Sequence, residues 1–288
     1  MQYIERYTAA HINHVSVILP HKLNHCKHFF GGTTMFFDTH AHYDDSRYDE
    51  DRDLLLESMQ EAGVSLILNA GSSVENSRRG LQIAEKYPFV YTSAGVHPHD
   101  AKEMDDGSIY ELRELLRAPK ALAVGEIGLD YHYTLSEVEI QKQRFREQLE
   151  LARETRLPVI VHEREAFADV MEILSDFTDL RGVFHCFSGD KEAAGHVLDM
   201  GWMLSFTGVL TFKKAYDSRA AAAYVPLERL MLETDAPYLS PEPVRGKRND
   251  SKNLIYTAQR LADERGISVE ELAAATMCNG RAFFGVPD

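Results

Sequence analysis

Cysteine is nearly missing from this chain, and long apolar runs are missing altogether. Its three cysteines among 288 residues, Cys26, Cys186 and Cys278, lie far apart and form no Cys-x-x-Cys. That excludes a disulfide framework of the small secreted kind and points to a reducing, cytoplasmic setting. No apolar stretch approaches the roughly 18 residues that a membrane-spanning helix needs. Cations are scarce too: 31 Lys and Arg stand against 45 Asp and Glu, a net charge of −14. This balance excludes an extended nucleic-acid-binding surface held by bulk charge. It leaves room for an enzyme that handles nucleic acid through bound metal ions and a few local cations. No second domain, long repeat or obligate protein partner is evident, and no Gly-x-Gly-x-x-Gly follows the first strand.

What is present is an alternation. Met35-Phe36-Phe37 opens a buried strand that leads into Asp38-Thr39-His40-Ala41-His42. Residues two apart in a strand share a face, so Asp38, His40 and His42 are expected together on one side. The pattern predicts a helix over 52–62 closed by Gly63, and a strand over 64–69. A helix capped by Ser72-Ser73 then runs to Lys86, and a strand covers 90–96. The next helix, over 109–117, leads into a strand at 121–124 that ends in Gly125-Glu126. Ser136 and Glu139 read as a capping box for a helix reaching Thr155. Strands at 158–162, 182–185, 202–206 and 230–235 follow, separated by helices. Two helices close the chain, the second over 269–284 with Ser268 as its cap. Eight short apolar strands alternating with helices predict a parallel sheet closed into a (β/α)8 TIM barrel over residues 35–288. An open doubly wound sheet is the alternative, weakened by the missing glycine fingerprint.

Residues 1–34 read differently. They carry His11, His14, His21, His25 and His28, then Gly31-Gly32. Val15 to Leu19 is too short for a signal-peptide core and is followed by Pro20. The expectation is a weakly ordered extension, with Met35 as the natural first residue. Metal binding by the histidine-rich tract is the alternative.

The polar residues fall at one level of the barrel. His40 and His42 end strand 1, His97 and His99 follow strand 3, and Glu126 ends strand 4. His162 ends strand 5, His185 strand 6 and Asp235 strand 8. Active sites of such barrels lie at the C-terminal ends of the strands. Any one of these residues fits an ordinary structural role, but together they suit two divalent ions. Imidazole mixed with carboxylate favours Zn, Mn, Ni or Co over Mg. Glu126 is placed to bridge the ions, and Asp235 to ligate one and accept a proton from its water. That donor set points to metal-assisted hydrolysis.

The motifs then carry a resemblance. Phe37-Asp38-Thr39-His40-Ala41-His42, Gly95-Val96-His97-Pro98-His99 and Gly125-Glu126-Ile127-Gly128-Leu129-Asp130-Tyr131 come first. Pro158 to His162 with Arg164, His185-Cys186-Phe187-Ser188-Gly189, Glu233 to Leu239 and Arg245 to Asn249 follow. In that order the chain resembles the TatD-like metal-dependent hydrolases, the TatD deoxyribonuclease branch of the amidohydrolase superfamily, over residues 35–286. The resemblance implies that His40, His42 and Asp235 hold one ion, that His162 and His185 hold the other, and that Glu126 bridges them. It implies phosphodiester hydrolysis on DNA, commonly 3′-to-5′ from an end, with RNA as another substrate.

The expected mechanism is in-line attack on phosphorus by a metal-bound hydroxide, with Asp235 and Glu126 as the catalytic carboxylates. Arg164, Lys247 and Arg248 are candidates for phosphate contacts, and His97 and His99 for contacts to substrate or metal-bound water. Asp38 and Asp130 are candidate partners that fix imidazole tautomers. Tyr131 and Tyr133 are candidates for stacking on a base or for rim packing. Two rival readings keep the ligands. One is hydrolysis of an ester or amide, such as a D-aminoacyl-tRNA ester or a small cyclic amide. The other is a metal-binding protein without catalysis.

Overall fold

Apolar runs that can bury both faces become the strands of a parallel barrel. The computed structural model describes residues 34–287. The expectation for residues 1–34 therefore lies outside the described residues, Thr34 apart. The strands are β1 (Phe36–Ala41), β2 (Val64–Asn69), β3 (Val90–Ala94), β4 (Ala121–Asp130), β5 (Val159–Arg164), β6 (Gly182–Phe184), β7 (Met203–Phe206) and β8 (Leu230–Leu232). They pair in sequence order, every pair parallel. The ring closes where β8 leads back to β1. There Asp235 N–H donates to the His40 carbonyl at 2.9 Å and His42 N–H to the Ala236 carbonyl at 2.7 Å. The fold is the expected (β/α)8 barrel.

The outer layer holds α1 (Arg52–Glu57), α2 (Val74–Lys86), α3 (Asp106–Leu115), α4 (Val138–Thr155), α5 (Phe167–Leu174), α6 (Lys191–Asp199), α7 (Tyr216–Tyr224), α8 (Leu254–Arg265) and α9 (Val269–Phe284). Phe37 of β1 and Ile160 of β5 belong to one buried cluster with Leu68, Val183 and Met231. Strands so far apart in the ring can share a cluster only through its interior. Phe284 of α9 packs edge-on against Phe37, 6.0 Å between ring centres, and closes the end where the strands begin. Each such buried side chain contributes about 1.5–3 kcal/mol. The polar groups are left to the opposite end.

Three local expectations fail for tertiary reasons. The helix over 52–62 stops at Glu57, because the Ser58 hydroxyl donates to the Leu55 carbonyl at 2.6 Å and the chain tightens into turns up to Gly63. Ser136 does not cap α4. Its hydroxyl donates to the His99 carbonyl and accepts from Lys102 N–H, tying the segment after β3 to the one after β4. Strand β4 does not end at Glu126 but runs on to Asp130. Gly128 pairs with His162, and a Cβ there would overlap the His162 carbonyl. Its φ of 148° also disfavours side chains. That close approach continues the β4–β5 ladder and sets Glu126 inside the strand.

Gly182 at the start of β6 lies against the Trp202 ring, and a Cβ there would overlap it. Gly182→Ala should destabilise the protein by about 1–3 kcal/mol through overpacking, read as a lower urea midpoint. An unchanged midpoint would contradict the packing described.

Candidate metal centre

At the C-terminal ends of the strands a cavity of about 750 Å³ opens, lined by His42, His97, His99, Glu126, His162, Arg164, His185 and Asp235 among others. Glu126 is its buried centre. His40 Nε2 and His42 Nε2 lie 3.2 Å apart. They stand 3.2 and 3.6 Å from Glu126 Oε2, and 3.7 and 3.4 Å from Asp235 Oδ1. The other oxygen, Oε1, is 2.8 Å from both His162 Nδ1 and His185 Nε2, which are 3.3 Å from each other. One carboxylate thus offers an oxygen to each of two sets of donors.

The imidazole tautomers test whether these donors suit cations. His42 Nδ1 is 3.0 Å from the Ala70 carbonyl, which can only accept, so that nitrogen carries the hydrogen. His162 Nε2 likewise faces Asp130 Oδ2 at 3.2 Å, and His185 Nδ1 faces Glu233 Oε1 at 3.2 Å. In the neutral rings the remaining lone pairs then point at the oxygens of Glu126 and Asp235. Lone pairs facing carboxylates are repulsive unless a cation lies between them. The spacings in the first set, 3.2–3.7 Å, bracket the edge of about 3.3–3.4 Å for a tetrahedron of donors 2.0–2.1 Å from an ion. The residues present fit divalent cations.

Protonation tells the same story. Burial opposes ionisation of Glu126, but the fields of His185, His97 and His40 and the His162 hydrogen bond hold it well below the usual range. Burial likewise opposes charge on His42, yet its hydrogen bond to Asp235 and the field of Glu126 push it up to about 9. His162 and His185 are raised against burial as well, His162 by its bonds to Asp130 and Glu126, His185 by the field and hydrogen bond of Glu126. Without a metal, protons supply the missing positive charge. His40 differs: burial and the charge of His185 lower its pKa, and its buried Nδ1 has no hydrogen-bond partner among the described residues.

His97 Nε2 lies 3.4 Å from Glu126 Oε1, and with Glu126 and His162 it forms a group close enough to hold an ion, but the hydrogen bonding of its ring favours another role. Its Nδ1 accepts the His99 N–H at 3.1 Å, so the neutral ring must carry its hydrogen on Nε2. Burial lowers its pKa to about 4, which keeps it neutral. It is an N–H donor aimed into the site. His99 bonds Asp130 Oδ2 at 2.9 Å and so stands one residue behind His162.

Other expected residues are more scattered. Arg164 lines the cavity. Arg248 points elsewhere, clasping Asp51 through both carboxylate oxygens. Lys247 is exposed and, like Arg248, is not among the residues lining the cavity. Tyr131 bonds Asp169. Asp38 fixes no imidazole ring. Between the pairs Asp38 with Ile67 and Ala41 with Asn69, two residues of β1, Thr39 and His40, stand opposite one of β2, Leu68, which breaks the alternation. The Asp38 carboxylate accepts from Thr234 and Ser251 instead. Glu233, which the sequence shows within a motif but gives no role of its own, orients His185 and accepts Cys186 N–H at 2.7 Å. Cys186 and Asp235 adopt positive φ of 45° and 55°. Such backbone costs of order 1 kcal/mol or more, and the Cys186–Glu233 and Asp235–His40 bonds hold it.

Because protons occupy the imidazoles that a cation would use, metal binding should expel them. The pKa of His42 is raised to about 9 and those of His162 and His185 are raised as well, so protonation competes with the cation and the apparent affinity should climb from pH 6 toward pH 9. Titration calorimetry in two buffers should register proton release, and Glu126→Gln should lose most of the bound metal. Affinity independent of pH, or full metal content in Glu126→Gln, would contradict the assignment.

Comparison with known proteins agrees with the geometry. The model of the TatD related DNase family matches residues 37–285. The metal-dependent hydrolase YabD of Bacillus subtilis is 38% identical over 254 residues, covering 88% of this chain and all of that one. The 3′-5′ ssDNA/RNA exonuclease TatD of Cronobacter sakazakii is 36% identical, over 86% of this chain and 97% of its own. The crystal structure of the Escherichia coli TatD homolog YjjV superposes with a TM-score of 0.83 at 32% identity, over 88% of this chain and 98% of that one. A barrel whose rim gathers His and Glu donors for metal, with these relatives along nearly its whole described length, belongs to the TatD-related family of metal-dependent hydrolases.

Proposed function

We propose that the chain is a two-metal phosphodiesterase that trims single-stranded nucleic acid, DNA foremost, from its 3′ end. The observation that carries this reading is the division of Glu126 between two donor sets beside Asp235. The name of the Cronobacter relative, an exonuclease on ssDNA and RNA, supports the choice of substrate. Divalent cations, when bound, would act as Lewis acids toward a phosphoryl oxygen and make water nucleophilic near neutral pH.

The chain's own groups supply the rest. His40, His42 and Asp235 would hold one cation and His162 and His185 the other, with Glu126 shared. Asp235 would accept the proton of the attacking water. Burial opposes its ionisation, but the His42 hydrogen bond and the charges of His42 and His40 keep it below the usual carboxylate range, so it is ionised and has room for a proton. His97 would donate its Nε2–H to a phosphoryl oxygen as charge develops. Arg164 would pair with a phosphate and set the strand's position.

A second reading has an observation of its own. Asp44, Asp45, Asp100 and Glu163 line the same cavity, a wall suited to a substrate bearing an ammonium group, such as an aminoacyl ester.

The test uses 5′-labelled single-stranded DNA. It should shorten stepwise from the 3′ end, stop with chelator and resume on metal add-back. Asp235→Asn should lower kcat by about 100-fold or more. Internal cuts only, or activity that survives both chelation and Asp235→Asn, would overturn the mechanism. Cleavage of an aminoacyl ester in place of DNA would favour the second reading.

A further inference from the structure

Two tyrosines stand at the mouth of this cavity, Tyr133, a candidate for stacking on a base, and Tyr238, which has no role in the metal centre. Tyr238 and Tyr133 both line it. They are 46% and 51% exposed, whereas the metal-site side chains around them are largely buried. Each sits beside a different half of the centre. The Tyr238 ring meets His42 edge to face, 6.1 Å between centres and 81° between planes. The Tyr133 ring meets His99 in the same way at 5.4 Å and 88°, and His99 reaches His162 through Asp130.

Both rings are held in place. The Arg47 guanidinium lies over Tyr238 at 4.2 Å, and Asp45 clamps it through both carboxylate oxygens. The Arg164 guanidinium lies over Tyr133 at 4.8 Å. A cation on one face attracts the ring and fixes its orientation. Tyr110 and Tyr216 are more exposed still, at 61% and 69%, but neither lines the cavity. The pairing of a held ring with a position beside the metal donors is what separates Tyr238 and Tyr133 from ordinary surface tyrosines.

The charge of the wall says what such rings would bind. Among the described residues lining the cavity, Arg164 is the sole arginine or lysine, set among several carboxylates. Neutralisation of phosphates by the chain therefore contributes little to affinity. What remains is uncharged contact, and aromatic faces take unpaired bases without regard to sequence.

We infer that Tyr238 and Tyr133 are stacking platforms on the two flanks of the metal centre, so that the phosphodiester to be cut lies between two stacked nucleobases. This rests on the nuclease reading and adds the positioning residues and the substrate form. The substrate is the last two nucleotides of a strand whose bases are unpaired, because in a duplex each base is held by its pairing partner and stacked on its neighbours and cannot swing onto a separate ring. Affinity would come from stacking and from the metals, with a shallow dependence on salt.

The experiment uses metal-loaded protein and a single-stranded oligodeoxynucleotide with a cleavage-resistant phosphorothioate at its last linkage. 2-Aminopurine replaces either the terminal or the penultimate base. Wild type should quench the fluorescence of both probes. Tyr238→Ala and Tyr133→Ala should each weaken binding about 5- to 100-fold, as loss of one stacked base does. Each should abolish quenching at one of the two positions. Tyr238→Phe and Tyr133→Phe, which keep the ring, should quench as wild type does. The salt slope of binding should stay unchanged in Tyr238→Ala. Alanine variants that bind and quench like wild type, while wild type cleaves DNA, would overturn this inference and leave the nuclease reading standing. Wild type that neither binds nor cleaves any oligonucleotide would overturn both.

Discussion

A carboxylate buried among imidazoles is the constraint on which this structure depends. Glu126 is nearly inaccessible, yet it is held ionised, and it touches His40, His162 and His185 within 3.2 Å. Burying such a charge costs several kcal/mol unless positive charge answers it closely. The rest of the rim provides that answer. Ala70, Asp130 and Glu233 each fix one ring so that its other nitrogen faces the centre. The backbone of Glu126 is fixed in turn, its N–H donating to the Gly71 carbonyl at 2.7 Å.

The barrel makes this possible by separating two tasks. Its apolar interior and the closing helix α9 carry stability at one end, where Phe37 and Phe284 meet. The other end is free to hold polar groups that an isolated domain core would not tolerate. Closure of the ring falls at the site itself, since the bonds that join β8 to β1 involve His40, His42 and Asp235. Fold integrity and ligand placement are therefore coupled there. The positive φ of Asp235 is tolerable because closure over-determines it.

Much of this was legible in the sequence, for a physical reason. Parallel strands buried on both faces must be apolar along their length, so a charged or imidazole residue at the end of such a run stands out. That is how His40, His42, Glu126, His162, His185 and Asp235 were singled out as candidates. What failed depended on partners distant in the chain. Asp38 was placed with the histidines by alternation, but an irregular register between β1 and β2 gave its carboxylate to Thr234 and Ser251. Ser136 looked like a helix cap and instead binds the segment after β3. Arg248 sits in a promising basic loop, yet Asp51, almost two hundred residues earlier, claims it. Glu233 was visible as part of a motif, but only the fold reveals that it orients His185. His97 shows the limit most plainly. Its distance to Glu126 suggests a ligand, and only the backbone bond to its Nδ1 makes it a donor.

The central claim is that Glu126 serves two cations at once, one through each oxygen. Anomalous scattering from manganese-loaded crystals, recorded on both sides of the metal edge, tests it most directly. The account predicts two peaks, one among His40, His42 and Asp235 and one between His162 and His185, with Glu126 reaching both. A single peak, or a second ion with no contact to Glu126, would contradict it.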